Sequence, residues 1–234
     1  SVRAFYKRMF RMPTFNDLYY TDMGNAFLKP EYAEQFNVGL KYTRNFEKSP
    51  FMRMLDVSVD AYYNKITDKI IAYPKGQQFR WTMLNLGEVE IKGVDAVLNA
   101  LFTLGKLEVT TKFQYTYQKA IDITDPADTY YRDQIPYIPW HSGSAIIALS
   151  WGTWSLGYSF IYVGERYNQQ ENIIYNHTQP WYTSDMTLMK EIRWGKARLR
   201  FTAEVNNLFD QDYDVILNYP MPMRNYKFGL AVEL

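Results

Sequence analysis

The residues best suited to chemistry are few and widely spaced. The two histidines, His141 and His177, have no second His or Cys at ligand spacing, so a zinc site is not predicted. Four aspartates crowd one segment: Asp122, Asp125, Asp128 and Asp133. Carboxylates at such loose spacing can bind calcium, but Asp125-Pro126 is more simply a turn. We therefore predict a solvated acidic loop here.

Aromatic, amide and basic side chains in two segments are better placed to contact a ligand. The candidates are Tyr130, Tyr131, Arg132, Tyr167, Asn168 and His177. Their flat apolar areas and hydrogen-bonding tips suit a large polar ligand. No Ser/His/Asp arrangement, paired-carboxylate motif or glycine-rich phosphate loop is found. The sequence therefore predicts no catalytic residue, no metal site and no cofactor.

Composition narrows the class of protein. The 234 residues include 26 Lys plus Arg and 25 Asp plus Glu, and the resulting net charge of +1 gives no reason to propose nucleic acid as a partner. The absence of cysteine excludes a disulfide scaffold and a catalytic thiol. Uninterrupted apolar runs are far shorter than the ~20 residues of a transmembrane helix. Aromatic residues reach 18%, which favours strands.

Strict alternation of apolar and polar residues decides the secondary structure. In residues 106–117, Leu107, Val109 and Phe113 share one face, while Glu108 and Lys112 share the other. A period of two indicates a strand with unlike faces. The pattern recurs, no helix pattern is convincing, and ten strands are predicted over residues 1–11, 32–45, 53–68, 81–102, 106–119, 139–151, 154–166, 181–193, 197–208 and 223–234.

The connections between these strands alternate in length. The short ones are residues 45–52, 103–105, 152–153 and 194–196. The long ones are residues 12–31, 70–80, 120–138, 167–180 and 209–222. An antiparallel meander with tight turns at one end and loops at the other is typical of outer-membrane barrels.

Tryptophan and charge indicate which medium the apolar face meets. All six tryptophans fall at predicted strand ends: Trp81, Trp140, Trp151, Trp154, Trp181 and Trp194. Two belts at opposite ends fit two membrane interfaces, whereas a sandwich core more often holds a mid-strand Trp. The apolar face carries almost no charge, as a lipid-facing surface requires. We therefore predict an all-β, antiparallel up-and-down transmembrane β-barrel of about ten strands, with a soluble β-protein as the alternative.

Three motifs in this chain resemble those of TonB-dependent outer-membrane receptors. They occur in family order and are Phe10-Arg11-Met12-Pro13-Thr14-Phe15-Asn16-Asp17-Leu18-Tyr19, then Asn85-Leu86-Gly87 with Ile91-Lys92-Gly93-Val94-Asp95, and Asn206-Asn207-Leu208-Phe209-Asp210-Gln211-Asp212-Tyr213. The resemblance covers essentially the whole chain and implies the last ten of about 22 barrel strands. Loop lengths look most like those of compact cobalamin and catecholate-siderophore receptors.

This resemblance implies active import of a scarce metal chelate: cobalamin or another corrinoid, a ferric siderophore, or haem. The implied location is the outer membrane of a Gram-negative bacterium, with membrane lipid, TonB and the chelate as partners. The implied topology places all five long connections outside the cell. The candidate residues above would then contact the chelate.

The family's plug domain and TonB-binding box are not recognisable in residues 1–234, so we expect the chain to be the C-terminal part of a receptor barrel. An open ten-stranded sheet would leave two edges unpaired in lipid. We therefore expect those edges to be covered, for example by a second copy. The alternative function is a stand-alone ten-stranded outer-membrane enzyme of the protease kind, which would need His141 beside acidic residues at the strand tops.

Overall fold

The computed structural model describes residues 1–74 and 81–233, nearly all of them in antiparallel strands and their connections. In chain order the elements are β1 Val2–Arg11, α1 Phe15–Tyr19, β2 Glu31–Asn45, β3 Met52–Pro74, β4 Trp81–Leu104, β5 Leu107–Asp122, β6 His141–Trp151, β7 Trp154–Val163, β8 Arg166–Tyr167, a 3₁₀ turn Ile174–Asn176, β9 His177–Thr178, β10 Trp181–Trp194, β11 Ala197–Asn206, β12 Asp214–Ile216, β13 Tyr219–Pro220 and β14 Asn225–Glu233.

Ten of these strands form one sheet in sequence order, from β1 through β7 to β10, β11 and β14. Every neighbouring pair is antiparallel, which confirms the predicted up-and-down meander. The hairpins β8–β9 and β12–β13 stand apart as two-stranded sheets in the long connections. Within the described part of the chain β1 and β14 each have one neighbour, and the covering of these edges stays a prediction.

The register places like residues side by side across the sheet. Leu40 pairs with Val59, Val59 with Ala96, and Ala96 with Tyr115. One position along the strands, Asp60 pairs with Asp95 and Asp95 with Thr116. Directly opposed residues lie on the same face of a sheet, so one face is apolar and the other polar. The predicted assignment of the two faces is confirmed.

The hairpin of β3 and β4 extends further than predicted. β3 continues to Pro74, so the predicted connection at 70–80 is wrong over residues 70–74; residues 75–80 lie outside the described residues. Ile70 is 5% exposed, its backbone N–H donates to Glu31 Oε2 at 3.0 Å, and it pairs in register with Asn85. Burial of Ile70 and its backbone pairing with β4 therefore stabilise β3 beyond the residues in which apolar and polar side chains alternate clearly.

A short helix, α1, corrects the expectation that the chain contains no helix. Thr14 caps it: Asp17 N–H donates to Thr14 Oγ1 at 3.1 Å, and Thr14 N–H donates back to Asp17 Oδ2 at 2.9 Å. This reciprocal capping box stabilises five residues, too few for helical periodicity to be visible in the sequence. Among residues 1–74 and 81–233, no helix has the length and apolar character needed to cross a membrane.

Most buried apolar residues lie at the loop end of the sheet, with Ala100 near the opposite end of β4 as an exception. Six of them form a cluster where the connection after β5 folds over β3, β4 and β5: Ile66, Leu86, Val89, Ile91, Ala120 and Ile135. Elsewhere the apolar face stays exposed, as at Phe228 with 83% and Leu230 with 61% exposure. A surface of that extent needs a partner medium or molecule.

Candidate functional site

Two long connections at the same end of the sheet are locked together. We call residues 123–140 the Tyr131 loop and residues 164–180 the Tyr167 loop. Asn172 joins them, because Gln134 N–H donates to Asn172 Oδ1 at 2.7 Å while Asn172 Nδ2 donates to the Gln134 carbonyl at 3.1 Å. The backbone N–H of Tyr137 also donates to the Tyr167 carbonyl at 2.9 Å. The paired loops therefore form one surface.

The Tyr167 loop also contacts its other neighbours. On one side, Tyr73 at the far end of β3 donates its hydroxyl to Gln169 Oε1 at 2.7 Å. On the other side lies the connection between β11 and β14, residues 207–224, here called the Tyr213 loop. Arg166 Nη2 in the Tyr167 loop donates to the Asp214 carbonyl of the Tyr213 loop at 3.2 Å. Next to it, the Tyr213 ring stacks on Trp181, the first residue of β10, with 4.6 Å between centroids and 24° between planes. The Tyr167 loop is thus the centre of the loop cluster.

The predicted site residues of the Tyr131 loop differ in exposure. Tyr130 and Tyr131 are half-buried and Arg132 is exposed. A hydrogen bond to the Asp128 carboxylate, together with burial, raises the pKa of Tyr130. Arg132 has a φ of +72°, and its backbone N–H donates to the Asp122 carbonyl at 2.7 Å. Its backbone therefore closes the loop, while its side chain is left at the surface.

In the Tyr167 loop, two of the three predicted site residues face each other. Tyr167 pairs with His177 across the β8–β9 hairpin, with the ring centroids 5.6 Å apart in an edge contact. His177 Nε2 lies 3.3 Å from Glu165 Oε2. Asn168 is only 5% exposed, and its backbone N–H donates to the Asn176 carbonyl at 2.9 Å. Tyr167 and His177 are therefore better placed for ligand contact than Asn168.

The two groups of predicted residues lie on neighbouring loops that are hydrogen-bonded to each other. Thr129 Oγ1 donates to Glu171 Oε1 at 2.9 Å, which ties the two loops close to both groups. Across residues 1–74 and 81–233, no hydrogen bond, ion pair or ring contact joins Tyr130, Tyr131 or Arg132 to the Tyr167 group. A ligand touching both groups would have to span the junction of the loops.

A groove that the sequence did not indicate lies between the Tyr167 and Tyr213 loops. Its volume is about 520 Å³, and its walls are β9, the start of β10 and the hairpin β12–β13 of the Tyr213 loop. The lining includes His177, Thr178, Trp181, Tyr213, Asp214 and Leu217. The sequence carries only a weak indication of the hairpin β12–β13. Its turn contains Asn218, a residue type that tolerates the left-handed backbone, and Asn218 adopts a φ of +63° there.

Three of the four aspartates in the acidic segment accept hydrogen bonds from backbone N–H groups. Asp122 is 4% exposed, so the prediction of a solvated loop is wrong there; its Oδ1 accepts the Thr124 N–H at 2.8 Å. Asp133 Oδ2 accepts the Asn172 N–H at 2.9 Å, and Asp125 Oδ1 accepts the Ala127 N–H at 2.9 Å. Among the described residues, no group of three or more His, Cys, Asp or Glu side chains is placed to hold a metal ion.

His141, on which the enzyme alternative depends, sits among tyrosines. Its Nδ1 lies 2.8 Å from the Tyr115 hydroxyl, and its ring centroid is 5.1 Å from that of Tyr117. Both tyrosines are on the apolar face of β5. Within the described ranges no carboxylate bonds to His141, so this residue has the surroundings of an aromatic belt.

The sequence of residues 1–208 matches the family model described as TonB dependent receptor-like, beta-barrel. The chain is 28% identical over 224 residues to the vitamin B12 transporter BtuB of Photobacterium profundum, covering 93% of this chain and 32% of that protein. It is 26% identical to BtuB of Vibrio vulnificus, covering 87% and 29%. The chain thus spans about a third of the length of these curated relatives.

Solved structures share the fold. The ferric-catecholate import receptor Fiu from E. coli K12 superposes with a TM-score of 0.67 at 19% identity, covering 99% of this chain and 32% of that one. The copper transporter OprC gives 0.65 at 18% identity, with 95% and 34% covered. The ferripyoverdine receptor of Pseudomonas aeruginosa, bound to ferripyoverdine, gives 0.63 at 17% identity, with 97% and 30% covered.

Proposed function

The chain belongs to the TonB-dependent receptor β-barrel family, and from that premise we propose that it forms part of the wall and outer loops of an outer-membrane importer of a metal chelate. The observation that carries this proposal is the asymmetry of the sheet. The tight turns around Gly105, Gly152 and Gly195 lie at one end of the strands. The Tyr131, Tyr167 and Tyr213 loops lie together at the opposite end. Short periplasmic turns and long extracellular loops are typical of outer-membrane barrels.

The borders of the apolar face support a membrane location. At the strand ends joined by tight turns, Lys190 Nζ lies 4.3 Å from the Trp154 ring centroid. At the strand ends joined by the long loops, Lys119 Nζ lies 5.2 Å from the Trp140 ring centroid. Aromatic rings paired with long cationic side chains suit the two interfaces of a bilayer, where the charge can reach water. The exposed apolar band between them would meet lipid hydrocarbon.

The substrate we propose is a cobalamin or other corrinoid, a ferric siderophore or haem. The loop cluster supports binding of such a large, partly flat molecule, because it presents the rings of Tyr131, Tyr167 and His177 together with the exposed Arg132. Tyr130 and Asn168 complete the proposed contact set. TonB would act through a part of the receptor outside residues 1–234.

Uptake by cells carrying the full-length receptor tests this function. We would express it in a Gram-negative strain lacking its own receptors and supply radiolabelled cyanocobalamin, haemin or a ferric catecholate in turn. Accumulation of one chelate that stops when TonB is deleted is the expected result. If none of the three accumulates while the receptor is present at the cell surface, the proposed import function is wrong.

A further inference from the structure

The apolar face of the sheet carries a groove that follows β6, here called the β6 groove. Its volume is about 530 Å³. Two small residues of β6 form its floor, and each is flanked in register by an aromatic residue on β5 and another on β7. The two rows are Tyr115, Gly143 and Tyr162, and Phe113, Ala145 and Phe160. Because neighbouring strands are about 4.8 Å apart, the aromatic walls are separated by about 10 Å, which leaves room for one extended hydrocarbon chain.

The β6 groove leads to polar residues at the loop end of the strands. His141, two residues from Gly143 on β6, is exposed, and its Nδ1 lies 2.8 Å from the Tyr115 hydroxyl. Lys119 lies four residues beyond Tyr115 on β5, about 14 Å along the strand, and alternation places it on the same face. The groove is therefore apolar along β6 and has a cation beyond its loop end.

The charge of Lys119 has no counter-ion. Lys119 pairs in register with Lys92, and like charges directly opposed across two strands repel each other. Lys92 Nζ lies 2.8 Å from Glu90 Oε1, whereas Lys119 Nζ lies over the Trp140 ring. Over residues 1–74 and 81–233, no carboxylate forms an ion pair with Lys119. A negatively charged group is thus what this corner of the apolar face would attract.

A second apolar groove on the same face has balanced charges at its loop end. It covers about 640 Å³ over β1, β2 and β3, with Ala61 in its lining. Beyond it, Arg8 Nε lies 3.7 Å from Glu34 Oε1, and Lys65 Nζ lies 2.8 Å from Glu88 Oε2. Any lipid chain can lie in such a groove. The unpaired cation distinguishes the β6 groove as a place that selects the charge of the lipid as well.

We propose that the β6 groove binds one acyl chain of a lipid with a net negative charge, and that Lys119 binds the phosphate of that lipid. The glycerol part of the lipid and the long side chain of Lys119 would together bridge the distance from groove to charge. Attraction between a lysine at the membrane surface and an anionic lipid provides the selectivity. The membrane position of the site rests on the proposed function. Lipid binding is measured on the purified receptor without chelate or TonB, so the two proposals can fail separately.

Native mass spectrometry of the full-length receptor, released from micelles of an uncharged detergent, tests this proposal. The probes are dimyristoyl phosphatidylglycerol, dimyristoyl phosphatidylcholine with the same chains but no net charge, and glycerol 1-phosphate, which has no chains. Phosphatidylglycerol should bind about fivefold more tightly than phosphatidylcholine, and glycerol 1-phosphate should not bind. Equal affinity for the two lipids overturns the proposal. Binding of glycerol 1-phosphate as tight as that of phosphatidylglycerol would indicate a site for free phosphate and overturns it too.

Two substitutions separate the charge from the groove. Lys119→Gln should lower the affinity for phosphatidylglycerol about fivefold, to that for phosphatidylcholine, and leave the latter unchanged. Ala145→Phe fills the floor of the groove and should weaken binding of both lipids by about tenfold.

Each substitution has a matched control. Lys112→Gln, on the polar face of β5, and Ala61→Phe, in the second groove, should both bind the two lipids like the parent. A parent-like preference for phosphatidylglycerol in Lys119→Gln would contradict the role of Lys119. Parent-like affinities in Ala145→Phe would contradict the role of the groove, and either result overturns the proposal.

Discussion

The sheet and the loop cluster of this protein are held together by different kinds of contact. In the sheet, backbone ladders join neighbours and the side chains need only alternate, as along β5 where Val109 and Lys112 lie on opposite faces. In the loops, side chains bond to the backbone of distant segments, as Asn172 does to Gln134 and Arg166 to Asp214. Substitutions in the sheet should therefore act through the surrounding medium, and those in the loops through single hydrogen bonds.

The largest effect is expected on the apolar face. Phe113→Arg places a charge midway along β5, beside Leu98 and Ala145, and should lower the free energy of unfolding in a bilayer by about 2–4 kcal/mol. Lys112→Ala, on the polar face of the same strand, should change it far less. Urea titration of the full-length receptor in lipid vesicles measures both. The reverse order would mean that the two faces are inverted.

Asn172→Ala should loosen the loops without affecting the sheet. It removes the reciprocal bonds with Gln134 and leaves partly buried groups unpaired, at a cost of about 1–3 kcal/mol. Hydrogen exchange should become faster in residues 123–140 and 164–180 and stay unchanged in β6 and β7. Asn176→Ala, which removes one bond to the Glu171 carbonyl, is the milder control. If both variants speed up hydrogen exchange in these loops equally, Asn172 does not hold the two loops together.

Changing Tyr131 and Arg132 to Ala tests the outer surface of the cluster. If these side chains contact the chelate, its binding should weaken by about tenfold, as the loss of one substantial contact predicts. Affinity of the full-length receptor and uptake by cells are the measurements, with surface expression checked. Unchanged affinity and uptake would remove the Tyr131 loop from the binding site and leave it as a lid.

The smallest effect concerns helix α1. Burial alone would raise the pKa of Asp17, but the bonds from Thr14 and the Arg11 guanidinium, 2.8 Å away, outweigh it and lower the pKa. Asp17 therefore stabilises α1 above its unfolded pKa of about 3.9, and this contribution is lost as pH falls through the lower folded value. Thr14→Ala should cost α1 about 1 kcal/mol at neutral pH. Proteolysis near residues 12–20 should report both changes, and equal protection at pH 7 and pH 2.5 would contradict this.

The ten long strands could be predicted because alternation is a local signal repeated along each strand. In β5 the pattern fixes both the strand and its two faces, and the structure confirms them. Helix α1 was missed because five residues are too few to show a period. The extension of β3 was missed because its end is stabilised by burial of Ile70, which depends on elements far along the chain.

The loop cluster could be predicted only in part. Tyr167 and His177 were named from residue type, and they do face each other across β8–β9. The groove beside them depends on the Tyr213 loop folding against Trp181, a contact between positions with no shared pattern. Arg166 looks like a solvated charge at a strand end in the sequence, and only the packing of three loops buries it.

The orientation of this chain in the outer membrane is the central claim, and surface labelling of single cysteines tests it most directly. Residues 1–234 contain no cysteine, so Thr129→Cys in the Tyr131 loop and Thr153→Cys in the β6–β7 turn introduce unique thiols into this part of the full-length receptor. In intact cells, a membrane-impermeant maleimide should label Thr129→Cys and should label Thr153→Cys only after the outer membrane is permeabilised. Labelling of Thr153→Cys in intact cells, with Thr129→Cys protected, would contradict the orientation proposed for the loops and the groove.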